Sequence, residues 1–370
     1  MNRAPRWLSA LTVALARVCA SGFAHGADGG TSAPPAAAPV TERREIVVPM
    51  PGGEMVRIDN ALGRIAVRGS GEPGKVHIIA EKRAPSGQAL GRLRVHYTAW
   101  ENGEIHIDTR VELAGGERSL PLSGSSVDLV VEVPPEIAVE AKTFGGDISA
   151  SGLRAGARLE TTGGRIGVSD VRGGVVTRQL QGGQTVASVD GDIDLDGVEG
   201  DMDLRRLSGG RLDARLVDGR IRAEDVRSAL VRLTATTGDV IFVGLFRPSC
   251  HYDLRSYAGD VRVVTTLAQA PVPFELRARS AAPIEAALPL RTLSRQGDRT
   301  RAFYSGGRRG AAAAGTAGAS TALVELSSVL GRVVIQPQAQ PHDGDRASDR
   351  AGDRANDRVI DRVNDRAETP

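Results

Sequence analysis

Between Glu136 and Val264 the chain alternates apolar and polar residues in short runs punctuated by glycine. In Gly191-Asp192-Ile193-Asp194-Leu195-Asp196 the Ile and Leu fall on one face and the three Asp on the other. That is the two-residue period of a β-strand. The glycines are Gly146, Gly164, Gly174, Gly183, Gly191, Gly200, Gly210, Gly219 and Gly238. Self-similarity at a fixed spacing marks a repeat architecture. Each run predicts one short strand, and two strands with their turns predict a coil of about nineteen residues.

The coil length can be tested on both faces. A shift of nineteen sets Ile193 beside Leu212, Leu195 beside Ala214 and Met202 beside Ile221. Leu204 beside Ala223, Leu212 beside Val231 and Ile221 beside Val240 follow the same rule. On the polar face the shift matches Asp192 with Arg211, Asp196 with Arg215, Asp203 with Arg222 and Asp213 with Arg232. Eight of ten charged pairs are complementary; the exceptions are Asp194/Asp213 and Glu199/Asp218. A shift of seventeen gives three of seven, and twenty-one gives four of nine. Such pairs contribute about 0.2–1 kcal/mol each and serve register more than stability. A one-residue slip would turn every inward Ile and Leu outward.

The pattern therefore predicts an all-β fold: a right-handed parallel β-solenoid with about 19-residue coils, two short strands in each. The handedness follows from the general rule for parallel connections.

The rest of the chain divides around this centre. Residues 1–26 read as a signal peptide, with Arg3 and Arg6 ahead of the apolar stretch Trp7 to Ala16 and small residues at Ala24 and Gly26. Arg17-Val18 ahead of Cys19 lacks the small residues of a lipoprotein cleavage site. Residues 27–41 are a Gly/Ala/Ser/Pro-rich flexible leader. Residues 42–135 form a β-rich lead-in and capping region, with strands expected at Glu45–Val48, Val56–Ile58, Arg64–Arg68, Val76–Ala80, Leu93–Thr98, Glu104–Asp108 and Ser126–Val133. A sandwich-like or distorted-solenoid arrangement there would cover the first coil and block edge-to-edge association. The solenoid with its C-terminal cap occupies residues 136–336. Within it, residues 268–301 are expected to be long-looped around Pro271, Pro273 and Pro283, and residues 310–319 form an Ala/Gly loop. The strand pair Ala322–Leu326 and Val333–Ile335 closes the open end. Residues 337–370, where Asp-Arg recurs every four residues, read as a disordered tail.

The segment Val127-Asp128-Leu129-Val130-Val131-Glu132-Val133-Pro134-Pro135, followed by Ala138 to Ile148 with its Gly146-Asp147-Ile148, resembles the bacterial putative-adhesin family of β-strand-repeat proteins. Asn60-Ala61-Leu62-Gly63-Arg64-Ile65, Gly191-Asp192-Ile193, Gly238-Asp239-Val240 and Ser328-Val329-Leu330-Gly331-Arg332-Val333 are similar to its units. The resemblance spans roughly residues 42 to 336. It implies an exported bacterial β-solenoid, sometimes associated with envelope-stress systems, and brings no catalytic residues with it.

Composition narrows the function. A net charge of +2 from 47 basic and 45 acidic residues, with 3% aromatics, offers neither a basic patch nor base-stacking platforms for nucleic acid. Removal of the signal leaves Cys250 as the only cysteine, which excludes an intrachain disulfide and a multi-cysteine metal site. No run of eighteen apolar residues follows the signal, so no transmembrane helix is expected.

Several clusters invite chemistry. Asp190, Asp192, Asp194, Asp196, Glu199, Asp201 and Asp203 could hold calcium, although the register matches most of them with arginine. Asp194 and Asp213 are the one carboxylate pair the register offers for glycoside hydrolysis, and nearby arginines should keep both ionised. His77, His96 and His106 lack the spacing of a zinc site. Cys250-His251 suggests a thiol nucleophile, against the commoner half-buried cysteine. Gly163-Gly164-Arg165-Ile166-Gly167 lacks the Lys-Ser/Thr of a phosphate loop. Phe242, Phe246, Tyr252 and Tyr257 gather near the last coils as either a core stack or a contact surface.

The reading is a non-enzymatic, exported β-solenoid without cofactor or metal, periplasmic or at the bacterial surface. It would act as a cell-envelope interaction scaffold or adhesin-like protein whose partner is an envelope protein or glycan, with the four aromatics as the possible interaction surface. The alternatives are a glycan-acting parallel β-helix enzyme, lyase or hydrolase, and an accessory to envelope-stress signalling.

Overall fold

A computed structural model describes residues 39–50, 52–100, 102–112, 124–265, 274–296, 299–306 and 321–337. The signal peptide, almost all of the leader, the Ala/Gly loop and all but the first residue of the Asp-Arg tail lie outside the described residues. The N-terminal third holds β1 (Val40–Pro49), β2 (Met55–Leu62), β3 (Ile65–Arg68), β4 (Lys75–Ala84), β5 (Leu93–Ala99), β6 (Glu104–Val111) and β7 (Ser126–Glu132). The centre follows with β8 (Ala138–Gly145), β9 (Ile148–Ser151), β10 (Ala157–Gly163), β11 (Ile166–Arg172), β12 (Val175–Gln181), β13 (Gln184–Asp190) and β14 (Ile193–Glu199). Two long strands, β15 (Met202–Asp218) and β16 (Ile221–Thr237), precede β17 (Val240–Val243), β18 (His251–Ser256) and β19 (Val261–Thr265). The C-terminal part contains β20 (Phe274–Ser280), β21 (Glu285–Ala286), β22 (Arg291–Gln296), β23 (Arg299–Gly306), β24 (Ala322–Ser328) and β25 (Val333–Pro337). Among the described residues no helix is long and apolar enough to cross a membrane.

The strands stack in parallel into two faces with the core between them. One face runs β2-β8-β10-β12-β14, then through the second half of β15 and of β16 to β18 and β24. The other runs β3-β9-β11-β13, through the first halves of β15 and β16, to β17, β19 and β25. Alternation does what it predicts: Val139, Ala141, Leu159, Val175, Ile193 and Leu195 point inward from the first face, and Ile148, Ile166, Val168, Val186, Met202 and Leu204 meet them from the second. No single coil could bury these side chains; each is covered only by its neighbours in the stack.

Over residues 193–240 paired strands are offset by nineteen residues. Ile193 pairs Leu212, Met202 pairs Ile221 and Leu212 pairs Val231. Earlier coils are one residue shorter: Val175 pairs Ile193, and Ile166 pairs both Ile148 and Gln184, all 18 residues apart. Later, Val231 pairs Tyr252 and Val240 pairs Val261, 21 apart. Both changes fall in the turn that returns the chain to the first face. Gly191 faces Gly209, but Arg211 donates its N–H to Asp192 Oδ1 at 3.0 Å, so Gly210 is the added residue. The segment from Gly244 to Cys250, with Pro248, absorbs the next two. A turn on the outer rim can swell without disturbing the inward columns.

The Gly-Asp-Ile unit has a structural reason at the opposite corner. Gly146, Gly164, Gly182, Gly200, Gly219 and Gly238 stack with φ between 124° and 146°. A Cβ on Gly164 would lie 2.1 Å from the carbonyl oxygen of Gly146, and one on Gly200 only 1.4 Å from that of Gly182. Where an aspartate follows the glycine, it caps the next coil: Asp147 Oδ1 accepts from Arg165 N, and Asp201 Oδ1 from Arg220 N, both at 2.8 Å. Inward hydroxyls then satisfy glycine carbonyls, Thr161 reaching Gly146 O at 3.1 Å and Ser256 reaching Gly238 O at 2.8 Å.

The two ends are built alike. At the start, β2 and β3 form the first rung although the chain leaves for β4–β7 before returning; Ile65 pairs Ile148 across the gap. That excursion caps the rung, β6 and β7 in parallel on β2 and β3, and β5, β4 and β1 antiparallel beyond them. This is the distorted-solenoid form of the expected cap. At the finish, β24 and β25 form the last rung after a similar excursion. Where long loops are expected, over residues 268–301, the described residues instead hold β20, β21, β22 and the start of β23: β20 pairs β24, β23 and β22 extend it antiparallel, and β21 pairs β25. The strands within this excursion cover the otherwise open edge of β24.

Candidate interaction surface

On the rungs from β8 to β18 of the first face, the residue two positions before the corner glycine faces outward, half-buried at Thr162 and exposed at the others. The set is Phe144, Thr162, Leu180, Val198, Val217, Thr236 and Tyr257, lying between inward residues whose pairing fixes the register. The apolar members range from 41% exposed at Val198 to 68% at Phe144. Strand alternation places the residue two earlier on the same surface. That neighbouring column reads Lys142, Glu160, Arg178, Asp196, Arg215, Thr234 and Arg255.

The two columns form the walls of an open groove of about 520 Å³, lined among others by Glu160, Arg178, Leu180, Asp196, Val198 and Val217. A second recess of about 520 Å³ adjoins it at Glu160 and Thr162 and continues past Phe144 to Asp59, His106 and Arg110. Trp100 stacks on His106 beside this recess, their rings 6.1 Å apart. One edge of the solenoid thus carries an extended, half-apolar channel with charged groups of both signs.

The four aromatics suggested by the sequence do not form a surface together. Phe242, Phe246 and Tyr252 are buried and pack as a trio, with ring centroids 5.2–5.8 Å apart. Burial, before any other influence, pushes the Tyr252 hydroxyl up to about 12, and its oxygen accepts from Arg247 N. They face inward because Phe242 continues the Leu204–Ala223 column and Tyr252 the Leu212–Val231 column. Tyr257 alone is exposed, on the column described above. The column had a sequence signal, since Phe144, Leu180, Val198, Val217 and Tyr257 each stand two residues before a corner glycine. The signal is faint because an outward apolar residue belongs to neither the inward apolar pattern nor the charged one.

The other chemical candidates are engaged in the scaffold. Asp192 and Asp201 cap backbone N–H groups, and Asp203 pairs with Arg205 on its own strand rather than with its rung neighbour Arg222. Asp213, completely buried, is held by Arg211, Arg215 at 2.8 Å and Arg232 at 3.4 Å. Its rung neighbour Asp194 lies 3.6 Å from Arg215. His106 Nε2 meets Asp59 at 2.7 Å and His77 Nδ1 meets Glu132 at 3.4 Å, on different faces. Among the described residues no three His, Cys, Asp or Glu side chains gather as metal ligands. Burial, the largest influence on Cys250, pushes its thiol above the ordinary value, opposite to the shift an activated nucleophile needs.

Residues 76–272, more than half of the chain, match the family described as Toastrack DUF4097. No curated protein matches the chain. Among solved structures, a putative adhesin from Bacteroides fragilis is similar at 10% identity, over 81% of this chain and 98% of that one, with a TM-score of 0.30. A putative lipid binding protein from Parabacteroides distasonis shows 10% identity over 80% and 96%, TM-score 0.33. A putative cell adhesion protein from Clostridium sporogenes shows 9% over 81% and 100%, TM-score 0.25.

Proposed function

The chain belongs to the Toastrack DUF4097 family, and we propose that it is a non-enzymatic, exported interaction scaffold of the bacterial envelope. The observation that supports this most directly is the exposed column from Phe144 to Tyr257 with its charged neighbour, a channel built by regular repetition. Contiguous exposed apolar surface with a polar rim is characteristic of contact sites. The carboxylates within reach are occupied: Glu160 lies 3.9 Å from Lys142, and Asp196 pairs with Arg215 at 3.2 Å. A rigid, right-handed winding of parallel strands would hold the column at constant spacing for an envelope protein or glycan.

The test is cross-linking in the producing bacterium, comparing the native chain with a Leu180→Asp/Val198→Asp variant. A recurrent envelope protein or glycan, lost in the variant, is the expected result. Glycan cleavage by the purified chain would refute the non-enzymatic reading. Capture unchanged by the variant would remove this channel as the site.

A further inference from the structure

Over its first five rungs the charged column alternates in sign, Lys142, Glu160, Arg178, Asp196 and Arg215, before Thr234 and Arg255 end it. Rungs of a parallel stack lie about 4.8 Å apart. Arg178 stands at the centre of the alternating five, exposed, with no ion-pair partner among the described residues. A uniformly charged partner, such as an anionic membrane or a nucleic acid, would meet repulsion at every second rung. The ladder fits a surface with the opposite alternation at the same spacing, and the chain carries such a surface itself.

We propose that this face binds a second copy of the chain, antiparallel, about a two-fold axis lying along the strands between the Arg178 and Asp196 rungs. This rests on the reading of the column as an interaction surface, and it names the partner. That axis reverses the order of rungs while keeping each column opposite itself. Arg178 then meets Asp196 of the second copy, adding to the Arg215 that Asp196 already holds in its own chain, and Glu160 meets Arg215, each contact occurring twice. The apolar column meets itself in the same sense, Leu180 against Val198. A two-fold axis parallel to the solenoid would instead set each charge against its own kind. The six of the seven rungs that overlap about this axis span about 24 Å, a strip smaller than the roughly 800 Å² per partner of a standard interface. The dimer should therefore dissociate on dilution.

Sedimentation velocity of the full chain over a range of concentrations tests this. The native protein should show a monomer–dimer equilibrium. Arg178→Asp and Asp196→Arg should each raise the dissociation constant about tenfold. Mixing the two single variants should restore association as a heterodimer, since each then presents the charge the other lacks. That mixture needs no variant to regain anything by refolding, and matching thermal melts confirm that each is folded. A native chain that stays monomeric throughout, a dimer insensitive to Leu180→Asp, or no recovery on mixing would each overturn the proposal. A monomer whose envelope capture still requires Leu180 and Val198 would leave the scaffold reading standing without self-association. Capture indifferent to both would end that reading as well.

Discussion

Two corners of each coil solve the same problem with different residues. The corner before β9, β11 and β13 is glycine at every level, whereas the bulge within the second-face strands carries Asp170, Ser188, Arg206 and Asp225 at φ of 49–56°. Both depart from ordinary strand geometry. The bulge lies in the left-handed region that polar residues tolerate, and its side chains point away from the stack. The glycine corner has φ above 120°, and the carbonyl of the coil below occupies the place of a Cβ. Close approach along the stack, more than turning the chain, makes glycine necessary.

The sharpest way to break this contrast is Gly200→Ala. Its Cβ would press on the Gly182 carbonyl in a backbone conformation that alanine avoids, so a loss of about 3 kcal/mol or more is expected. Denaturant unfolding measures it. Gly167→Thr, on a strand position with open space around the added Cβ, should instead be neutral or stabilising by up to about 1 kcal/mol. Equal losses at both sites would dismiss the stacking explanation.

The caps come next. Asp201→Ala removes the acceptor for Arg220 N and should cost about 1–2 kcal/mol, while Asp201→Asn keeps an oxygen there and should cost less.

Asp260 adds a pH dependence to the same corner. Burial pushes its carboxyl up, but the Arg332 backbone N–H and guanidinium, with the charge of Arg262, outweigh it and hold the group below the usual 3.8. A depressed folded value stabilises the protein above the unfolded value, and the contribution fades as pH falls through the folded one. The stability gap between native chain and Asp260→Asn should therefore be full above pH 5, narrow as pH falls below about 4, and close in stronger acid. A gap that widens in acid would contradict this.

The smallest effect belongs to the bulge. Arg206→Gly relieves a left-handed arginine but loosens the unfolded chain, so the two terms nearly cancel and the change should stay within about 1 kcal/mol. A large loss would mean that this corner, too, depends on its side chains.

The sequence of this protein determined the class of fold, the inward columns and the register over residues 192–240. Period-two alternation and a repeated glycine need no distant partner to be read. The offset of nineteen was not general because Gly210 and the Gly244–Cys250 turn add residues on the outer rim, where no core position registers them. Strands β20, β22 and β23 escaped notice because prolines punctuate them and only the exposed edge of β24 gives them a purpose. Thr177 and Gln184 are polar residues within the apolar columns, and they bond to each other at 2.5 Å inside the core. The outward apolar column left only a spacing in the sequence, two residues before each corner glycine, and its assembly was decided by the tertiary structure. Phe144, Leu180, Val198, Val217 and Tyr257 are scattered along the chain, and only stacking at one strand spacing brings them into a single line, while the same stacking draws Phe242, Phe246 and Tyr252 into the interior.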